Sequence, residues 1–197
     1  MHPLVFAREA LSRAWGRKRT LIAFAALFLI CTIVGITVGG AASACHLQLC
    51  ARYLRDVCYT QKSVFVVFLG RAAGCCLMAA FVLFAGIHVA GLVFPPLLLA
   101  FRAYTFGGCI AVFFSVYKFA GALIVFTLYL PVHLLVDAAL LWATALSYAR
   151  APSFCFCRSD FFALLRDLAL LAAVLVLICL AELLLLVVIV HPIGNLM

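Results

Sequence analysis

The chain has 197 residues, 70% hydrophobic and 10% charged, with a formal net charge of +8. No soluble domain of this size has enough interior to hide so much apolar surface, so a water-soluble enzyme or binding module is excluded and the solvent is lipid. The basic excess then reads as a topology signal with a secondary preference for anionic lipid, and not as a nucleic-acid surface, because no basic cluster sits on a soluble stretch.

A spanning helix needs about 20 apolar residues, since the hydrocarbon core is about 30 Å thick. The apolar runs here are continuous and lack the period-two alternation of a membrane β-barrel. The expected fold is therefore an all-α integral membrane bundle of about five transmembrane helices. An N-terminal amphipathic helix precedes it over residues 1–19, and residues 20–197 form one membrane domain.

In the N-terminal segment Leu4, Ala7, Leu11, Ala14 and Trp15 share one helical face, with Arg13 and Arg17 opposite. Glu9 precedes Arg13 by one turn, a helix-supporting spacing. The pattern predicts a helix lying on the cytoplasmic leaflet. It is not a secretory signal, because the apolar run that follows is too long.

The first span is read at about 20–42. Its end carries Gly35-Ile36-Thr37-Val38-Gly39, a small-residue repeat that lets a neighbouring helix approach closely. Glycine is also simply frequent in membrane helices.

Residues 43–71 are the longest polar segment, with Arg52, Arg55, Asp56, Lys62 and Arg71. They hold Cys45, Cys50 and Cys58, an odd set that can form at most one disulfide within the loop. Cys31, Cys75, Cys76, Cys109 and Cys179 lie in apolar runs and read as small hydrophobes. Cys155-Phe156-Cys157 lacks the further ligands of a tetrahedral zinc site, so neither a metal nor another cofactor is expected.

The second span is read at about 72–94, with His88 inside it, and ends at Pro95-Pro96. The third, about 97–117, opens with Arg102, expected to snorkel to the headgroups. Ala103, Gly107 and Ala111 then repeat at one-turn spacing, a flat strip for close packing. A hinge is expected at Lys118-Phe119-Ala120-Gly121. The fourth span, about 121–148, should kink at Pro131, which lacks a backbone donor. Beyond it His133, Asp137, Thr144 and Tyr148 make a polar stripe that should face the bundle interior. Asp137 is expected to be buried and paired, with His133, Arg102 or His88 as candidate donors. The fifth span, about 168–190, carries one acid, Glu182.

With the N-terminus inside, the inner segments collect Arg8, Arg13, Arg17, Lys18, Arg19, Arg102, Arg150, Arg158 and Arg166. The outer ones collect Arg52, Arg55, Lys62, Arg71 and Lys118. The inner set is larger, which favours a cytoplasmic N-terminus and an extracytoplasmic C-terminus.

The central stretch reads Phe101-Arg102-Ala103, Gly107, Gly121, then Leu130-Pro131-Val132-His133-Leu134. In this it resembles the stage II sporulation protein M family of small bacterial membrane proteins. That family has a basic residue opening a Gly-rich span, a short Gly-containing turn and a Leu-Pro-Gln-Asn-like signature. The departures are Ala103 for the glycine after the basic residue, Ala120 for a basic residue before Gly121, and Val132-His133 for the Gln-Asn pair. The resemblance implies a multi-pass protein of the bacterial cell membrane that is not itself an enzyme. It would anchor two peptidoglycan hydrolases, a lytic transglycosylase and an amidase/endopeptidase, at the septum during endospore engulfment, with self-association open.

The residues themselves agree with a scaffold in lacking a Ser-His-Asp set, a metal motif or a nucleotide loop. The alternative is a small transporter or channel component, since His88, His133, Asp137 and Glu182 are ionisable groups at membrane depth. An intramembrane enzyme would have to use Asp137 with His133.

Overall fold

A computed structural model of the chain describes residues 18–39, 46–52, 64–151 and 158–185. All regular structure in these residues is helical, as the absence of water in lipid demands, because each backbone group must be satisfied within its own segment. Helix α1 is Lys18–Gly39, α2 is residues 46–52 and α3 is Val64–Ala85. Helix α4 is Phe94–Ile124, α5 is Leu130–Arg150 and α6 is Arg158–Leu185. Among the described residues, five stretches are long and apolar enough to span a bilayer: Lys18–Val38, Phe65–Ala85, Phe94–Phe119, Gly121–Arg150 and Arg158–Leu185. The chain is an all-α, multi-pass membrane bundle.

The spans sit in a different register from the one expected. Helix α3 starts at Val64, not near residue 72, and Arg71 lies within it. Arg71 does not end the apolar run at its N-terminal side, because Glu182 of α6 supplies its counter-charge. As a result α3 stops at Ala85, and Gly86, Ile87 and His88 turn the chain into a short 3-10 segment, Val89–Leu92. His88 is thus exposed in a connection and not inside a span. Pro95 and Pro96 occupy the first turn of α4, where a missing N–H has no intrahelical partner to lose.

Helix α6 likewise begins at Arg158 rather than near 168. Asp160 stands in its first turn, favourable to the helix dipole. Asp167 pairs with Arg150 of α5, with Arg166 Nη2 at 3.5 Å from its other oxygen, so these charges close the α5–α6 end of the bundle. The N-terminal amphipathic segment, Cys45, Cys58, Cys155 and Cys157, and the end of the last span lie outside the described residues.

The hinge between the third and fourth spans falls at Lys118, with φ 48° and ψ −122°. This is the first central position of a type II′ turn, normally held by glycine. Gly121 follows, and a Cβ there would strike the carbonyl of Phe113, so the two helices reverse with their backbones in contact. A non-glycine residue in such a region costs about 1–3 kcal/mol, part of which glycine returns as chain entropy. Lys118→Gly should therefore stabilise the chain by about 1 kcal/mol, read as a raised melting temperature in detergent; an unchanged or lower value would show that the turn is not strained.

Pro131 is accommodated by more than a simple kink. Val125–Tyr129 form a π turn, and Leu130 N–H reaches back to Val125 O. The wide turn moves the backbone past the proline ring, as π bulges often do near functional positions.

Three apolar clusters hold the bundle. Ala79, Val82 and Leu83 of α3 meet Val136, Leu140 and Ala143 of α5 and Leu164, Leu171 and Leu175 of α6. Phe106, Val112 and Phe113 of α4 meet Val125, Leu128 and Tyr129, with Cys50 of α2 inserted. Phe24 of α1 meets Leu99 of α4 and Ala145 of α5. Large side chains such as Leu29, Leu77, Phe81, Phe126 and Leu177 stay exposed, as surfaces against lipid do.

Candidate functional site

The crossing of α4 and α5 carries the polar centre of the molecule. Arg102 lies about two turns into α4, within the apolar stretch Phe94–Phe119. It does not snorkel. Its Nε donates to Asp137 Oδ1 at 2.5 Å, and its Nη2 stands 3.4 Å from His133 Nδ1. A guanidinium at that depth is held more cheaply by a carboxylate on the facing helix than by stretching to the headgroups. Asp137 is 2% exposed, and its Oδ2 is buried without a hydrogen-bond partner.

The π turn sets the other wall. It carries Tyr129 one turn before His133, their rings 4.2 Å apart, and Tyr129 stacks on Phe106 at 5.5 Å. These groups line a half-open chamber of about 250 Å³. Arg71 of α3, Arg102 and Thr105 of α4, and Tyr129, His133 and Asp137 supply its polar wall; Leu49 and Cys50 of α2 close one side. Helix α2 is seated by His46, which is buried against Gly108 with its ring 5.3 Å from Tyr104. Each arginine of the chamber faces a carboxylate, Arg102 with Asp137 and Arg71 with Glu182.

The residues singled out from sequence thus divide. Arg102, His133 and Asp137 meet in the chamber. Glu182 reaches it through Arg71. Pro131 acts through the π turn, Gly121 at the reversal, and Gly107 in the contact between α1 and α4. His88 is remote. The polar stripe of α5 is not one surface: Thr144 bonds its own helix at Leu140 O, 2.8 Å, and Tyr148 meets Phe24 edge-on. Sequence reasoning missed Arg71, Thr105, Tyr129 and the pair Cys50 and Cys109. The signal for Arg71 is that it stands alone between the apolar stretches Val64–Leu69 and Ala72–Phe84, which does not by itself place it inside a span.

Among the described residues, no cluster of His, Cys, Asp and Glu is placed to hold a metal ion. Comparison with protein-family models, curated proteins and solved structures finds no match to this chain. The class defined by the fold is a multi-pass helical membrane protein with a cleft between its helices that carries paired charges.

Proposed function

We propose that the chain is a membrane conduit for a small polar solute without net charge, either uncharged or zwitterionic. The observation that supports this is the chamber itself, with Asp137 Oδ2 buried on its wall and unpartnered. Charged groups at bilayer depth are costly and accordingly favour a role on a solute path. The wall charges already cancel in pairs, so a lone anion would compete with Asp137 and Glu182, and a lone cation with the arginines. A neutral solute or zwitterion instead meets the polar side chains of Asp137, Tyr129 and His133. At about 30 Å³ per water the chamber has room for a molecule of about eight heavy atoms.

Vesicles containing the protein, shrunk osmotically in glycine, glycerol or urea, should reswell at least about tenfold faster than protein-free vesicles for one or more of these probes, a barrier drop of about 1.4 kcal/mol. Potassium chloride should give no acceleration. Asp137→Asn preserves shape and should remove the acceleration at equal protein content. If all three solutes enter at the protein-free rate, the conduit reading fails.

The mutual neutralisation of the pairs favours a second reading, in which Arg71–Glu182 and Arg102–Asp137 serve only to fasten α3 to α6 and α4 to α5. That suits the hydrolase-anchoring scaffold implied by the family resemblance. Under it, Asp137→Asn is tolerated, and the protein isolated from sporulating cells brings a peptidoglycan hydrolase with it.

A further inference from the structure

Cys50 and Cys109 belong to different elements, α2 and α4, and both are buried at the wall of the chamber. The Cys50 thiol donates to the carbonyl oxygen of Cys109, 3.6 Å from Cys50 Sγ. We propose that Cys50 and Cys109 are a redox pair whose disulfide, formed by exchange with an organic disulfide, fixes α2 over the chamber.

The geometry favours this on three counts. Cys50 Sγ already lies 3.6 Å from the Cys109 carbonyl, so the two residues are neighbours across α2 and α4. The chamber gives a small disulfide a route to sulfurs that are otherwise buried. And α2 has one firm anchor, His46 against Gly108 and Tyr104, with Cys50 one turn further along, so a bond at Cys50 would fasten the helix at both ends. The hydrogen bond with Cys109, and burial behind it, push the Cys50 thiol up. The exchange is written from Cys109, with Cys50 as the resolving thiol. In the first step the Cys109 thiolate attacks one sulfur of RSSR, forming Cys109–S–SR and releasing RS⁻. In the second, Cys50 loses its proton and attacks the Cys109 sulfur, releasing the second RS⁻. The two thiols are oxidised by two electrons, RSSR is reduced, and the two protons end on two RSH.

The proposal rests on the chamber but not on solute passage, and its test keeps the two apart. The full chain in lipid nanodiscs is reduced, desalted and exposed to 2-hydroxyethyl disulfide, which is small enough for the cleft. Free thiols are then alkylated and proteolytic peptides identified by mass spectrometry. The expected product is a Cys50–Cys109 linked peptide in most molecules, abolished by dithiothreitol. Amide hydrogen exchange of residues 46–52 should slow at least tenfold on oxidation and recover on reduction. Both readouts use the natural sequence, so no variant need fold. Linkage of Cys50 to Cys45 or Cys58, or no linkage, overturns the pair. A Cys50–Cys109 link that leaves exchange of 46–52 unchanged overturns the fastening of α2. Vesicle reswelling enters neither outcome.

Discussion

Arg102→Met should destabilise the bundle by about 3–5 kcal/mol, among the largest losses a single substitution can produce. The reason is what it leaves behind. Asp137 is 2% exposed, and its Oδ1 takes the bond from Arg102 while Oδ2 has none. Without the guanidinium, the carboxylate has no cation on the facing helix and must either take up a proton or remain charged in hydrocarbon. Asp137→Leu strands Arg102 in the same way. The double variant Arg102→Met with Asp137→Leu strands nothing, and replacing a whole buried pair by apolar groups is often neutral. It should therefore recover most of the loss. Asp137→Asn keeps shape and one acceptor and should fall between. The measurement is unfolding in mixed micelles together with membrane abundance. Equal instability of the double variant and of Arg102→Met would show that the site is held by packing and not by the charge pair.

The same pair illustrates what can be read from a membrane sequence. Fold class was legible because continuous apolar runs of the right length admit few structures in lipid. The burial of Asp137 followed from the cost of a lipid-facing carboxylate. What could not be read was register in depth. A lone arginine looks like the edge of a loop when its counter-ion is far away in sequence, so Arg71 was placed outside the span although Glu182 holds it inside. His88 was carried into the span by the same shift. The chamber was equally hidden. Its walls depend on the π turn, which rotates Tyr129 relative to His133 in a way a uniform helical period does not describe, and on α2 folding back to bring Cys50 to Cys109. Thr144 looked like part of a polar surface because spacing alone cannot reveal that its hydroxyl is spent on its own helix at Leu140.

Gly107→Val should separate α1 from α4, with a loss of about 3 kcal/mol or more, since overpacking commonly costs 1–3 and here the obstacle is backbone. The two helices meet through reciprocal glycines. A Cβ at Gly107 would run into the carbonyl oxygen of Thr32 and come within 3.0 Å of Ile36 N; a Cβ at Gly35 would run into the carbonyl oxygen of Tyr104 and come within 3.0 Å of Gly108 N. Neither obstacle is a flexible side-chain tip, so neither can swing aside. Beyond this seam α1 is held through Phe24 and Phe28, while Ile22, Leu29, Ile30, Ile33 and Val34 are exposed. Lipid tails are as apolar as these side chains, so once the backbones are forced apart no hydrophobic drive returns α1 to the bundle. Gly107→Ala should already weaken the contact, and Gly107→Val should do so more. Gly70 and Gly74 of α3 supply the control, since a Cβ at either meets nothing within 4 Å. Alanine at those positions should be neutral or stabilise by up to about 1 kcal/mol through helix propensity. The comparison is made by thermal unfolding in one detergent, with limited proteolysis reporting release of α1. Equal effects of alanine at Gly74 and at Gly107 would mean that helix propensity, and not the approach of the two backbones, governs this seam.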